Sequence, residues 1–244
     1  ERFMDAYESD ITYNLAETCC YSLSIEEISK LADVDISSLS QKILSERLTY
    51  GSIQGTPQLK SAIEQLYQSV SPEIVVTNGA IGANYLVAYG VVEKDDHVVV
   101  VDPHYQLLSS VPKMFGANVD LFPLRFEDKY QPNLKLLDEM VTPKTKLLVI
   151  NNPNNPTGAV WGNDVLEKII EICKKNDVII QSDEVYRPLF HIENSEKPKL
   201  ILEFGYKKAI STLSMSKAFA LAGLRLGWVA TLDEDLFKIF CSRR

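Results

Sequence analysis

Short runs of continuously apolar residues alternate with amphipathic segments from about residue 57 onward, and this alternation restricts the fold more than any other feature of the sequence. Seven runs have the length and composition of strands: 73–77, 97–101, 118–122, 146–150, 178–181, 209–213 and 226–231. Segments with helical spacing lie around them: 57–70, 80–91, 104–115, 133–141, 163–175 and 233–240. A strand that is apolar on both faces needs cover on both faces. The pattern therefore predicts a mostly parallel sheet between two layers of helices.

The composition is that of an ordinary globular chain and argues against two classes of partner. Of the 244 residues, 45% are hydrophobic and 24% are charged. The formal net charge of −8 argues against the basic face that nonspecific binding of nucleic acid requires. No apolar run approaches the roughly 20 residues of a membrane span. We therefore expect no nucleic-acid partner and no membrane partner.

The cysteines and the first residues indicate a cytoplasmic protein. The four cysteines form no C-x-x-C pair, so we expect reduced thiols, and the three histidines lack the spacing of metal ligands. The N-terminus is polar and acidic, without a secretory signal. It also lacks an initiator Met, which suggests that the chain begins inside a longer one.

Two segments that follow predicted strands could contact a phosphate or a planar ring. The turn 77–83 (Thr-Asn-Gly-Ala-Ile-Gly-Ala) has small residues at the start of a helix, where free N–H groups and the helix dipole favour an anion. A tight packing turn explains the same residues equally well. In the segment 103–105 (Pro-His-Tyr), the aromatic ring could stack on a ligand or could simply be buried at the rim.

Two further segments carry polar groups at strand ends. The loop 151–158 has four asparagines and two prolines, a rigid and donor-rich sequence that favours function over a purely structural turn. In the segment 182–186 (Ser-Asp-Glu-Val-Tyr), Asp183 ends a buried strand, where a carboxylate is costly without a partner. A protonated pyridine nitrogen would be such a partner, although Asp183 could equally cap a helix.

Lys217 lies in a tract of small and apolar residues, with Ser214 before it and Arg225 after it. An amine in apolar surroundings loses hydration, so we expect a lowered pKa and a better nucleophile. A hydroxyl and a guanidinium near that amine could hold a phosphate. An amine beside a phosphate clamp is what a pyridoxal phosphate (PLP) site requires.

Taken in order, these segments resemble those of fold type I PLP-dependent enzymes, and within them the class I/II aminotransferases. The matching segments are 50–55 (Tyr-Gly-Ser-Ile-Gln-Gly), 77–83, 103–105, 155–158, 183–186, 214–217 (Ser-Met-Ser-Lys) and Arg225. The resemblance implies a three-layer α-β-α large domain with a mostly parallel seven-stranded sheet. It also implies a PLP-binding domain over residues 49–244, preceded by an arm and a partial small domain over residues 1–48.

The resemblance assigns chemical roles to five residues. Lys217 is similar to the lysine that forms the Schiff base with PLP and then acts as general base and acid. Asp183 resembles the residue that keeps the pyridine nitrogen protonated, and Tyr105 the aromatic residue stacked on the ring. These three would be the catalytic residues. Asn155 and Tyr186 match the pair that hydrogen-bonds the phenolic oxygen.

The remaining roles concern the phosphate. Ser214 and Arg225 match the phosphate clamp, together with the turn residues Gly79, Ala80 and Ile81. Tyr50 is similar to a tyrosine that reaches the phosphate in the neighbouring subunit, which implies a homodimer with shared active sites. The implied reaction moves an amino group between an L-amino acid and a 2-oxo acid.

Two departures from the family pattern leave alternatives open. Members usually continue into a C-terminal small domain with an arginine for the substrate carboxylate, so we expect this chain to be truncated before that domain. The arm 14–18 (Asn-Leu-Ala-Glu-Thr) differs from the glycine-bearing arm of most members. The alternatives are therefore a PLP-dependent lyase, a cyclase similar to capreomycidine synthase, and a truncated, inactive PLP-binding chain.

Overall fold

The computed structural model describes residues 6–7, 9–15, 17–191 and 197–244. Seven strands form one sheet in the order β1-β7-β6-β5-β4-β2-β3. Their bounds are β1 Glu73–Asn78, β2 His97–Asp102, β3 Asn118–Pro123, β4 Thr145–Asn151, β5 Ile179–Asp183, β6 Ala209–Ser214 and β7 Leu226–Thr231. All seven strands predicted from the apolar runs are present. The expectation of a mostly parallel seven-stranded sheet is confirmed.

One strand runs against the others. β7 pairs antiparallel with both β1 and β6, whereas the remaining pairs in the sheet are parallel. Two reversals cancel, so β1 points in the same direction as β6. The carboxyl ends of β1, β4, β5 and β6 therefore lie at the same edge of the sheet as the amino end of β7.

The described residues contain eight α-helices and two short 3-10 helices. The α-helices are α1 Ile25–Leu31, α2 Ile36–Ser45, α3 Pro57–Glu64, α4 Gly79–Val91, α5 Leu107–Met114, α6 Leu134–Met140, α7 Asn163–Asn176 and α8 Glu234–Arg243. The 3-10 helices are Ile201–Phe204 and Ala222–Leu224. None of the described helices combines the length and the apolar character needed to cross a bilayer.

The largest difference from the predicted helices is at α3, which ends at Glu64 instead of continuing to residue 70. The chain turns there, and Tyr67 becomes 4% exposed in the core. Its hydroxyl lies 3.2 Å from Ser211 Oγ and accepts a hydrogen bond from Trp228 Nε1 at 3.1 Å. Two buried partners for one hydroxyl require this turn, so tertiary contacts override the helical spacing.

Two apolar clusters lie on opposite faces of the sheet and explain why the strands are apolar throughout. Along β2, Val98 and Val100 belong to one cluster, while Val99 and Val101 belong to the other. Alternate residues of a strand point to opposite faces, so a sheet covered on both faces needs apolar residues at every position. The first cluster includes residues of α4, α5 and α8, and the second includes residues of α3, α6 and α7. The three-layer α-β-α arrangement is confirmed.

The N-terminal segment lies largely on the outside of this structure. Ser29 is buried in α1, and α2 has no buried residue. Both helices are capped locally, α1 by the Ser24 hydroxyl and α2 by the Asp35 carboxylate. The backbone N–H of Leu23 donates to the carbonyl of Ala220 at 2.9 Å, which attaches the segment to the connection between β6 and β7. The division at residues 48 and 49 into two units stays a prediction.

Gly227 in β7 provides a test of how closely the strand approaches the turn after β1. A Cβ atom at Gly227 would overlap the carbonyl carbon of Gly79, which is backbone and cannot rotate away. We predict that Gly227→Ala lowers the free energy of unfolding by about 1–3 kcal/mol, because the strand and the turn must separate. Urea denaturation of the cofactor-free protein measures this loss.

Gly223→Ala is the matched control, since a Cβ atom there meets nothing within 4 Å. It should leave the unfolding curve nearly unchanged. Equal stability of the two variants would contradict the close contact between β7 and the turn after β1.

Candidate active site

A cavity of about 250 Å³ opens at the edge where the strand ends meet. Its walls include most of the residues that the sequence predicts for the site: Ala80, Ile81, Tyr105, Asn155, Asp183, Tyr186, Ser214, Lys217 and Arg225. These residues are far apart in the sequence and come together because each follows or precedes a strand at this edge. The arrangement agrees with the rule that ligands of open α/β sheets bind at the carboxyl ends of strands.

Asp183 is the most buried ionisable group of the cavity wall, with 3% of its surface exposed. Its Oδ2 accepts a hydrogen bond from Asn84 Nδ2 at 2.9 Å, and its Oδ1 accepts one from the backbone N–H of Val185 at 3.2 Å. Burial raises the pKa of Asp183 to about 6, while the hydrogen bonds and the nearby Lys217 act in the opposite direction. A carboxylate in this setting suits a cationic partner.

Lys217 lies half-buried on the same wall, and its amine contacts the N-terminal segment. Its Nζ is 3.1 Å from Cys19 Sγ and 3.3 Å from Thr18 Oγ1. Burial lowers the pKa of Lys217, but the hydrogen bond to Cys19 and the nearby Tyr186 raise it more, so the net pKa lies above its ordinary value. The predicted lowering of the Lys217 pKa is therefore wrong: burial acts in the predicted direction, but the net shift is upward. Cys19 and Tyr186 together outweigh the effect of burial.

A cationic side chain, two hydroxyls and a helix start lie close to the end of β6, the start of β7 and the start of α4. Arg225 Nη1 donates to the carbonyl of Ala222 at 2.9 Å and lies 3.4 Å from Ser216 Oγ. Asn78, which precedes α4, makes no side-chain capping bond, so the first N–H groups of that helix have no side-chain cap from it. Ser214 and Ser216 add hydroxyls to the cavity wall. Such a set of donors can bind a phosphate.

Gly79 is not part of the cavity wall but supports it from behind. Its φ of +74° allows the sharp turn from β1 into α4, and a Cβ atom would lie 2.5 Å from Arg225 Nη2. The absence of a side chain lets the guanidinium pack directly against the turn. The structure thus places Gly79 against Arg225, behind the cavity wall and not on it.

The loop after β4 is fixed to β5 by asparagine side chains. Asn151 Nδ2 donates to the carbonyl of Asp183 at 2.8 Å, and its Oδ1 accepts from the backbone N–H of Asn155 at 2.6 Å. This brings Asn155 to the cavity beside Tyr186 and Tyr105. Burial raises the pKa of Tyr186, and a hydrogen bond with Thr18 counteracts this effect. The Tyr186 hydroxyl therefore stays protonated and can donate a hydrogen bond to a ligand oxygen.

Tyr50 is the predicted residue that the structure does not bring to the cavity. Its side chain is fully exposed, and it does not line the cavity. A residue that serves the neighbouring subunit would be expected to point away from its own site. Its contribution to binding stays a prediction.

Several residues of the cavity wall were missed by the sequence reasoning. Asn84, Ala222 and Cys19 line the cavity without having been predicted there, whereas Asn151, Val185 and Ser216 belong to predicted segments but were not singled out. Asn84 had a usable signal, since a single amide in an otherwise apolar helix needs a buried partner. The arm 14–18 was expected near the substrate, and Thr18 does reach the cavity. Ala16 of that arm lies outside the described residues.

The side chains present fit PLP by their chemistry. A buried carboxylate can pair with a protonated ring nitrogen, and an amine can react with an aldehyde. An arginine, hydroxyls and a helix start can hold a phosphate. Asp183, Lys217, Ser214 and Arg225 supply these groups on the walls of one cavity.

Comparison with known proteins agrees with this geometry. The family model described as "Aminotransferase class I and II" matches residues 23–241. The chain belongs to this family. The aspartate aminotransferase of Sulfurisphaera tokodaii is 32% identical over 212 residues, which cover 84% of this chain and 53% of that protein. The human kynurenine–oxoglutarate transaminase 3 is 30% identical over 219 residues, covering 83% of this chain and 46% of that protein.

A solved structure shows the same fold. A PLP-dependent aminotransferase from Streptococcus suis 89-1591 is 38% identical, with a TM-score of 0.93, and the match covers 100% of this chain and 64% of that one. The chain spans about half the length of the curated relatives that it matches. PLP is therefore the cofactor to be expected for this member of the family.

A second buried carboxylate, Glu184, lies next to Asp183 but belongs to a separate network. Its Oε2 accepts from Ser211 Oγ at 2.5 Å, and its Oε1 accepts from the backbone N–H of Ile201 at 2.9 Å. Burial raises the pKa of Glu184 to about 7, against the opposing effect of Arg187. The folded protein therefore binds this proton more tightly than the unfolded chain does.

This difference predicts that stability falls as the pH rises. The cost of the buried charge is absent below pH 4.5, the ordinary value, and is complete above about pH 7. We expect Glu184 to remove about 2 kcal/mol of stability or slightly more between pH 5 and pH 8. Glu184→Gln should reduce this loss in urea denaturation, and Asp183 accounts for a remaining slope of the same sign.

Glu167→Gln is the matched control, because Glu167 is an exposed carboxylate on α7. It tests whether any loss of a negative charge has the same effect. An identical pH dependence of Glu184→Gln and the unmodified protein would contradict the raised pKa.

Proposed function

We propose that the protein is a PLP-dependent aminotransferase that moves an amino group between an L-amino acid and a 2-oxo acid. The observation that carries this proposal is the placement of the Lys217 amine and the buried Asp183 carboxylate on the walls of one cavity. The relatives are named as aminotransferases with different substrates, so they support the reaction type and leave the amino acid open.

Each side chain has a defined task in this proposal. PLP, when bound, supplies an electron sink for the electron pair that remains on the substrate α-carbon after that carbon loses its proton. The amine of Lys217 would take the proton from this carbon and deliver it to the C4′ carbon of the cofactor, and would carry it back in the reverse half of the reaction. Asp183 holds a proton on the ring nitrogen by its negative charge. Tyr105 stacks on the ring.

The other residues bind and orient the cofactor. Ser214, Arg225 and the residues Ala80 and Ile81 at the start of α4 bind the phosphate. Asn155 and Tyr186 donate hydrogen bonds to the phenolic oxygen, which fixes the rotation of the ring in the cavity. These tasks need the groups to be rigid, and the side-chain bonds of Asn151 to Asp183 and Asn155 hold two of the loops together.

A screen of amino donors tests the reaction. The protein in its full encoded form is incubated with PLP, a panel of L-amino acids and 2-oxoglutarate, and glutamate is measured. We expect glutamate from at least one donor. Lys217→Ala should lower this rate at least about 100-fold, because it removes the group that moves the proton. It should also abolish the long-wavelength absorbance that develops when PLP is added to the protein.

Lys207→Ala is the control for this prediction, since Lys207 is an exposed lysine just before β6, the strand that Lys217 follows. It should keep both the activity and the absorbance. Ammonia as the product would indicate a lyase, and a cyclised product a cyclase. PLP binding without any turnover would favour the inactive alternative, and unchanged absorbance in Lys217→Ala would exclude Lys217 as the reactive amine.

We also propose that the protein is a cytoplasmic homodimer. All four cysteines are free thiols, which is typical of a reducing compartment. The fully exposed Tyr50 is accompanied by the exposed apolar side chains of Leu44, Leu48 and Ile53. These four residues lie within ten positions of one another in the sequence, and exposed apolar side chains at such density support a surface that another protein covers.

Tyr50→Phe tests the shared active site. Loss of a hydrogen bond to a charged phosphate should weaken PLP binding about tenfold, while the dimer stays intact. An absorbance titration measures the affinity, and light scattering after size-exclusion chromatography measures the mass. Tyr13→Phe, at a tyrosine that is 82% exposed, is the control and should bind PLP normally. A monomeric protein, or equal affinity of the two variants, would contradict the proposal.

A further inference from the structure

We propose that Asn84 is a positioning residue that holds Asp183 as a carboxylate facing the cofactor cavity. This inference rests on the proposed function, in which Asp183 keeps a proton on the ring nitrogen. It concerns a residue of helix α4 that no feature of the family resemblance assigns. Asn84 acts on the reaction only through Asp183, so the consequences of its loss should follow the charge of that carboxyl group.

The first support is the orientation of the Asn84 amide. Its Oδ1 accepts hydrogen bonds from Gln181 Nε2 at 2.8 Å and from Thr212 Oγ1 at 2.8 Å. With the oxygen engaged on that side, the amide nitrogen is the atom that faces Asp183, at 2.9 Å from Oδ2. Asn84 therefore presents a donor to Asp183, and a donor favours the charged form of a carboxyl group.

The second support is the place of Asn84 in the helix. α4 buries apolar residues such as Ala83, Leu86 and Val87 around it, and Asn84 itself is 5% exposed. A buried amide is costly unless it is hydrogen-bonded. Its side-chain hydrogen bonds all go to residues of β5 and β6. The amide therefore connects α4 to the ends of these two strands, and none of these hydrogen bonds lies within the helix.

The third support is the balance of groups around Asp183. Burial disfavours its charge, while Asn84, the backbone N–H of Val185 and the charge of Lys217 favour it. The hydroxyl of Tyr186 lies on the same cavity wall, and the neighbouring Glu184 opposes a second negative charge. Among the groups that stabilise the carboxylate, Asn84 has the largest effect. Its removal should therefore shift the balance toward the protonated acid.

The direct test measures the carboxyl group of Asp183 without cofactor. The protein is labelled with ¹³C-aspartate, the Asp183 signal is assigned with Asp183→Asn, and its chemical shift is followed against pH. We expect Asn84→Ala to raise the pKa of Asp183 by about one pH unit, because one hydrogen bond to the charged form is lost. Thr212→Val removes one donor to the amide oxygen and should give a smaller shift in the same direction.

A second measurement reports the proton on the cofactor. PLP labelled with ¹⁵N in the ring is bound to each variant, and the ¹⁵N chemical shift shows whether the ring nitrogen is protonated. In Asn84→Ala the signal should move toward that of the neutral ring at neutral pH, while the unmodified protein keeps the protonated signal. Asn176→Ala is the control, since its amide bonds to the carbonyl of Ile172 in α7. It should change neither measurement.

The outcomes separate this inference from the proposed function. An unchanged pKa of Asp183 in both Asn84→Ala and Thr212→Val, with only lower stability, would show that Asn84 has a purely structural role. A protein that binds no PLP would overturn the proposed function, yet the titration without cofactor would still decide the role of Asn84. If Asn84→Ala does not fold, the shift in Thr212→Val decides it.

Discussion

The reversed direction of β7 is the constraint on which the candidate site depends. Arg225 precedes this strand, and the antiparallel pairing places it beside Gly79 after β1 and Ser214 at the end of β6. A parallel β7 of the same six residues would move Arg225 about 20 Å to the other edge of the sheet. The Arg225 guanidinium would then be separated by the length of the strand from the carboxyl ends of β1 and β6. One change of strand direction therefore brings the phosphate-binding donors to the edge that carries Lys217 and Asp183.

Two adjacent carboxylates at the end of β5 lie on opposite sides of the chain, one at the cavity and the other in the core. Asp183 faces the cavity and is bonded by Asn84, while Glu184 is bonded by Ser211 in a chain that continues to Tyr67 and Trp228. Neighbouring residues near a strand end point to opposite sides, so each carboxylate meets its own donors. Both charges are costly to bury, and each is offset by hydrogen bonds that the other does not share. The protein can thus hold one carboxylate for a ligand and use the other in its core.

The sequence predicted the elements of the fold because their signals are local. The apolar runs located every strand, and the small, polar or aromatic residues after them located most of the cavity wall. The apolar helix marks Asn84 as an amide that needs a buried partner, but the sequence does not identify that partner, because Asp183 is 99 residues away and their contact depends on the rotation of α4 against the sheet. The net pKa of Lys217 was missed for the same reason. Its surroundings in the sequence are apolar, but Thr18 and Cys19 reach it from about 200 residues away.

The two sides of the cavity are held by different kinds of contact. The residues proposed to bind PLP belong to strand ends and loops whose positions are fixed by sheet register and by buried hydrogen bonds, such as that between Asn151 and Asp183. The arm reaches the cavity through side-chain contacts of Thr18 with Tyr186 and of Cys19 with Lys217, supported by the backbone bond from Leu23 to Ala220. A ligand that reaches the Lys217 amine meets Thr18 and Cys19 as well as the strand ends. The cavity is therefore lined by two separate parts of the chain, the ends of the strands and the N-terminal segment.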